Sequence, residues 1–128
     1  MSLRPENLKK YVELARPIII EVAKGQRGDR LITYGQLMEE MGGPGRGYIG
    51  EVLEEVSDRE YGNSCTILSA LVVGKDKSRP KDKWRPSKGW WELRILPPSL
   101  RNASIEEKME RWQQEYGKAR EYWGRHDP

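Results

Sequence analysis

Hydrophobic residues along this 128-residue chain recur at helical spacing in several stretches, separated by glycine, proline and polar breaks. Residues 5 to 24 carry Leu8, Val12, Leu14, Ala15, Ile18, Ile19 and Val22. This stripe predicts a helix in which Pro17 imposes a kink or a restart and which the glycines from Gly25 to Gly28 end. In Thr33-Tyr34-Gly35-Gln36 the threonine is placed to cap a helix and the glutamine to reach back to it. Tyr34, Leu37, Met38 and Met41 then form one apolar face, and Gly42-Gly43-Pro44-Gly45 stops the helix. A third helix is predicted from about Arg46 to Arg59, where Ile49, Val52, Leu53 and Val56 repeat the same spacing. Two short amphipathic helices joined by a glycine turn form a helix-turn-helix, here about residues 33–59.

The second half reads differently. Residues 65–73, Cys-Thr-Ile-Leu-Ser-Ala-Leu-Val-Val, predict a strand buried on at least one face, and Trp90-Trp91-Glu92-Leu93-Arg94-Ile95 predicts a second. Between them lies a polar segment, 74–89, which would form the long tip of a hairpin. Pro97-Pro98 closes this part, and Ser104-Ile105-Glu106-Glu107 opens a last helix, about 104–124, with a second capping box. Its apolar stripe, Ile105, Met109, Trp112, Tyr116, Ala119 and Trp123, is the clearest periodicity in the chain. Such a stripe packs on its own domain or offers a groove to a protein partner or a second copy.

The order helix, helix-turn-helix, strand, basic tip, strand predicts an α+β fold. Specifically, it predicts a small winged helix-turn-helix domain with a β-hairpin wing, an N-terminal helix and a long C-terminal amphipathic helix. Residues 1–128 are expected to form one domain, since this length leaves no room for two independent cores. In such an architecture the second helix of the pair presents its N-terminal turn to a DNA groove, while the wing supplies cations to phosphates.

Composition sharpens this picture. Hydrophobic residues make up 36% and charged residues 34%, a composition for a modest core rather than a disordered chain. The longest apolar run, Ile18-Ile19-Ile20, falls far short of the roughly 20 residues a membrane span needs. With no basic stretch leading into an apolar one at the start, a cytoplasmic location and no membrane partner are expected. A single cysteine, Cys65, and a single histidine, His126, do not assemble a Cys/His zinc site or an ordinary catalytic triad. No cofactor, metal site or catalytic residue is therefore expected.

Charge is concentrated. Residues 75 to 88 hold Lys75, Lys77, Arg79, Lys81, Lys83, Arg85 and Lys88 against Asp76 and Asp82, a net of +5 in a chain whose total is +3. Trp84 lies within this stretch, and Trp90 and Trp91 follow it, one expected to point inward and one outward. Cations interleaved with aromatic rings suit phosphate neutralisation and stacking on unpaired bases. The same composition also suits a solvated loop whose lysines only aid solubility.

Ile32-Thr33-Tyr34-Gly35-Gln36-Leu37, then the glycine and proline turn, then Gly47-Tyr48-Ile49-Gly50-Glu51-Val52-Leu53, then Leu71-Val72-Val73 resembles the C-terminal DNA-binding domain of alkylguanine-DNA alkyltransferases and their alkyltransferase-like relatives. The resemblance covers about residues 32–91. It implies that Tyr34 and the turn Arg46 to Tyr48 face DNA, with the following helix entering the minor groove. The family's catalytic Pro-Cys-His-Arg stretch would fall where this chain has Leu68-Ser69-Ala70-Leu71, without thiol or imidazole. Alkyl transfer by that route is excluded, and Cys65 reads as an ordinary buried or half-buried thiol. The family's arginine finger would lie near Arg46, but the alignment puts Gly47 there. The Tyr-Gly-Gln-Leu, Leu-Ser-Ala-Leu-Val-Val and Pro-Ser-Lys-Gly-Trp-Trp segments are also similar to small bacterial and phage proteins, which favours a family of its own over a repair enzyme.

The expected function is therefore non-catalytic binding of duplex or distorted DNA, recognising structure or damage or acting as a regulator. The expected nucleic-acid-binding residues are Tyr34, Arg46, Tyr48, Lys75, Lys77, Arg79, Lys81, Lys83, Trp84, Arg85, Lys88 and Trp90. One objection is that the predicted recognition helix carries Glu51, Glu54, Glu55, Asp58 and Glu60 against Arg46 and Arg59, which repels phosphates along most of its length. A rival reading is a protein-interaction module of a phage or defence system, acting through that acidic helix and the C-terminal aromatic stripe. A fainter one is a metal-dependent nuclease built on Asp76 and Glu92, weakened because Arg94 stands where a proton-carrying lysine is wanted.

Overall fold

The computed structural model describes residues 3–27, 31–45, 47–75, 84–86, 90, 93 and 95–125. Helix α1, Pro5–Ala23, starts with proline at its first turn, where the missing N–H costs nothing. It runs without interruption through Pro17, so the predicted kink or restart does not divide it. An interior proline costs about 3 kcal/mol, and here the apolar face on both sides, Val12, Ala15, Ile19 and Val22, is buried and offsets that. Pro17 itself is exposed, so the carbonyl it leaves without an N–H donor lies on the solvent side.

Strand β1, Ile32–Thr33, precedes α2, Tyr34–Met41. The capping box at this junction is complete: Gln36 N–H donates to Thr33 Oγ1 at 3.1 Å, and Thr33 N–H donates to Gln36 Oε1 at 3.0 Å. Gly42 ends α2 in the left-handed region at φ 75°, and Gly43 N–H returns to the Met38 carbonyl at 3.0 Å. Helix α3, Ile49–Ser64, follows the turn, starting later and running longer than its glycine breaks suggested.

Two differences from the expected strands reshape the second half. Leu68–Leu71 forms a 3₁₀ turn, and only Val72–Lys75 is strand, β2. All four residues of the turn are buried, and Ser69 is tied to Ser57 of α3 by an Oγ to Oγ hydrogen bond of 2.5 Å. A continuously apolar run carries no periodicity to separate a strand from another fully buried conformation. The partner of β2 is Trp84–Arg85, β3, rather than residues 90–95; Gly74 pairs with Arg85 and Lys75 with Trp84, antiparallel. Beyond β3, Leu93 N–H bonds back to the Trp90 carbonyl and Leu96 N–H to that of Leu93, so the chain winds in turns there. On its other edge β2 pairs with β1 in parallel, Ile32 with Val72 and Thr33 with Val73, giving the order β1-β2-β3.

The result is an α+β fold with α1, α2, α3 and α4, Ile105–Arg125, around a small sheet. Ser104 Oγ accepts from Glu107 N–H at 3.2 Å at the start of α4, the threonine-like half of the second predicted capping box. The core has two centres. The first joins α1, α2, α3 and the C-terminal half of α4; the second joins Ile67, Ala70 and Val73 to Trp90, Leu93, Leu96, Leu100, Met109 and Trp112. Helix α4 bridges them, Met109 and Trp112 entering one and Ala119 and Trp123 the other, and Trp112 Nε1 donates to the Ala70 carbonyl at 2.8 Å. Among the described residues no helix is long and apolar enough to cross a membrane.

Candidate nucleic-acid interface

The α2–α3 pair and the β2/β3 ladder meet at Tyr34. The first residue of α2 is half-buried, and its ring lies over Gly74 of β2: a Cβ placed on Gly74 would stand 3.6 Å from Tyr34 Cε2. Tyr34 thus braces the base of the hairpin against α2, packed on the first core centre. Its ring is committed to this junction on at least one side, whereas the resemblance had turned it towards DNA.

The turn between the helices is shaped by glycine. Gly43 takes φ 149°, and a Cβ there would come within 2.7 Å of the Tyr11 hydroxyl on α1, so both backbone conformation and space exclude a side chain. Gly45 at φ 104° accepts from the N–H groups of Tyr48 and Ile49, each at 3.1 Å. Tyr48 occupies the N-cap of α3, half-buried, and provides no side-chain cap. The opening of α3 is therefore built from main chain, Gly47 and Gly50 standing open around Tyr48 with no atom near where a Cβ would lie. Arg46 lies outside the described residues.

The acidic character of α3 is partly spent inside the molecule. Glu51 accepts from the Leu3 backbone N–H at 3.0 and 3.3 Å, Glu55 pairs with Arg59 at 2.8 Å, and Glu60, 1% exposed, pairs with Arg16 of α1 at 2.8 Å. Glu51, Glu55 and Glu60, among the acids that argued against phosphates, are so engaged, and Glu60 is fully buried. Sequence spacing had no means to show the first and last of these, because Leu3 and Arg16 lie 48 and 44 residues from their partners.

The basic segment is anchored at both ends of the hairpin. Lys75, Trp84 and Arg85 belong to the antiparallel ladder of β2 and β3, and residues 76–83 connect those strands. Lys77, Arg79, Lys81, Lys83 and Lys88 lie outside the described residues, as do Asp76, Trp91, Glu92 and Arg94. Trp90 is 4% exposed and belongs to the second core centre. Expected as a stacking platform, it is instead the residue by which the chain leaving the hairpin is pinned to α4.

One further expectation changes. Cys65 is exposed, not buried: it sits just past α3 in the left-handed region at φ 58°, a C-cap position outside the apolar face. The aromatic stripe of α4 is packed against its own domain, with Met109, Trp112, Ala119 and Trp123 buried and Ile105 and Tyr116 partly so. Elsewhere, Arg27 is held against Glu40 and Glu21, which ties the end of α1 to α2 and raises the guanidinium pKa, chiefly through the hydrogen bond to Glu40. Comparison with protein families, with curated proteins and with solved structures returns no match.

Proposed function

We propose that this chain is a non-catalytic DNA-binding protein of winged-helix type, in which the opening of α3 and the basic hairpin segment meet the nucleic acid together. The observation that carries this reading is the Tyr34 junction. It braces α2 against β2, so the helix pair and the hairpin bearing the +5 segment belong to one packed unit. Arg16 of α1 brings to the acidic α3 one cation from outside the helix, at Glu60, while Glu55 is paired with Arg59 and Glu51 is held by the Leu3 backbone N–H. End-on approach by the α3 N-terminus is the favoured geometry, because its opening carries the exposed small residues Gly47 and Gly50 and the positive end of the helix dipole, while Glu54 and Asp58 lie further along.

The rival reading, a protein-interaction module working through the α4 stripe, lacks its surface, since that stripe lies in the two core centres. The acidic side of α3 is what that reading retains. Fluorescence anisotropy of labelled duplex and single-stranded DNA, titrated at low and at moderate salt, separates the two. Micromolar or tighter affinity that falls steeply with salt supports the proposal. Failure to bind at low salt rejects it and turns attention to a basic protein partner.

A further inference from the structure

Helices α1 and α3 run side by side in the same direction: Leu3, just before α1, meets Glu51 near the start of α3, and Arg16 meets Glu60 towards its end. Between their facing sides lies a cleft of about 360 Å³, in the size range of small-ligand sites. Helix α1 lines it with two i, i+4 pairs, Val12 with Arg16 and Glu13 with Pro17. Helix α3 lines it with Val56, Arg59, Glu60 and Asn63, at i, i+3, i+4 and i+7, so helical spacing brings each set to one side of its helix.

Val12 and Val56 are the apolar part of the wall, both buried. Beside them two guanidinium groups are held in place with only part of their donors engaged. Arg16 Nε donates to Glu60 Oε2 at 2.8 Å, and its guanidinium carbon lies 5.7 Å from the centroid of the Trp123 ring on α4. Arg59 Nε donates to Glu55 Oε1 at 2.8 Å. The terminal nitrogens of both have no partner among the described residues, and such a free guanidinium edge binds a carboxylate through two parallel hydrogen bonds. Glu13, of opposite charge, is exposed, and its carboxylate has no partner among the described residues. Pro17 has no N–H to give the Glu13 carbonyl, so the same residue adds a main-chain acceptor at the cleft.

We propose that this cleft binds a small zwitterion of the α-amino-acid class, its carboxylate on the free edges of Arg16 and Arg59, its ammonium on Glu13 and an aliphatic side chain on Val12 and Val56. The charges of the lining select this class. Arg16 and Arg59 balance Glu13 and Glu60, so a simple anion leaves Glu13 unpaired beside it and a simple cation faces two guanidinium groups. A ligand carrying both charges satisfies both. Glu60 is 1% exposed and fixes the Arg16 guanidinium before a ligand arrives, which lowers the ordering cost of binding. The cleft lies along the C-terminal half of α3, away from the opening that the DNA reading uses, and does not depend on that reading.

The test is an amide NMR titration of the full chain with leucine and with two compounds that each lack one of its charges, isocaproate without the amine and isoamylamine without the carboxylate. Leucine is expected to shift the signals of residues 12–16 and 56–63, and each analogue to bind about tenfold or more weakly, the order expected for a lost hydrogen bond between charged groups. Glu13→Gln is expected to bring leucine down to the affinity of isocaproate. Arg59→Gln is expected to weaken leucine and isocaproate alike without weakening isoamylamine. Both side chains are exposed, so the melting temperature of each variant is expected to hold. The inference fails if leucine up to about 10 mM moves no signal in the two helices, if either analogue binds as tightly as leucine, or if both variants bind leucine as the parent does. Inorganic phosphate is the competing probe: phosphate bound in the cleft more tightly than leucine would make it an anion site and overturn the zwitterion.

Discussion

Helices α3 and α4 invite comparison because both are long and amphipathic and both bury one glutamate, although α3 is acidic and α4 balances five acids with five cations. On α4, Glu115 is 2% exposed and held by Arg111 and Lys118 of its own helix, at 3.1 and 3.4 Å. On α3, Glu60 is held by Arg16, which belongs to α1. The α4 stripe is covered along its length by two core centres. The α3 stripe, Ile49, Val52, Leu53 and Val56, is also buried, but its helix opens on a glycine turn with an uncapped first residue and open space around Tyr48. The stronger periodicity therefore belongs to the helix that builds the core, and the helix with the exposed end carries the candidate chemistry. Amplitude of an apolar pattern measures how much of a helix must be covered, and says nothing of which end stays free.

This contrast can be broken first on α4. Trp112→Ala removes a ring from the second core centre and its hydrogen bond to Ala70, and is expected to cost about 3–5 kcal/mol of stability. Urea unfolding followed by circular dichroism measures it; a loss below about 1 kcal/mol would mean that α4 is only loosely docked. Gly43→Ala is the corresponding test at the α2–α3 turn. The positive φ and the approach of the Tyr11 hydroxyl predict a cost of about 1–3 kcal/mol. An unchanged melting curve would show that the turn relaxes freely and does not fix the angle between the helices.

The remaining predictions concern binding. Lys81→Glu with Lys83→Glu and Arg85→Glu is expected to weaken duplex affinity about tenfold or more with little change in stability. Anisotropy titration checks this, and parent-like affinity would remove the hairpin segment from the interface. The smallest effect is expected from Arg46→Ala with Tyr48→Ala, read as a reduced ratio between affinities for distorted and regular duplex while the melting temperature holds. Unfolding of that variant would instead assign both residues to the fold, making the opening of α3 resemble α4 after all.

Local features were the most legible. The Thr33–Gln36 capping box, the glycine stop after Met41 and the register of the α4 stripe all depend on residues within a turn or two of one another, and all appear as read. The hairpin was misplaced for an equally local reason. Residues 90–95 have strand-like composition, yet Trp90, Leu93 and Leu96, three residues apart, share one core centre with Met109 and Trp112 and are linked by Leu93 N–H to Trp90 and Leu96 N–H to Leu93 hydrogen bonds. The two-residue ladder at Trp84–Arg85 sits among charges and carries too short a pattern to register. Of the candidate site, the glycine turn and the basic segment were visible as composition. The commitments that reshape it were invisible: Tyr34 over Gly74, Glu51 to Leu3, Glu60 to Arg16 and Trp90 into the core each join residues far apart in the chain.

The order of residues alone dictated where most helices start and stop, that the chain pairs α-helices with a little β-structure, and where its positive charge is concentrated. Those properties follow from backbone sterics, capping hydrogen bonds and side-chain periodicity, which act over a few residues. Folding in three dimensions settled what holds the acids of α3, that Trp90 is core, and which strand edge β1 completes. Those outcomes are set by burial and pairing between distant segments, where the cost of an unpaired charge or an empty space is felt only once the chain has folded.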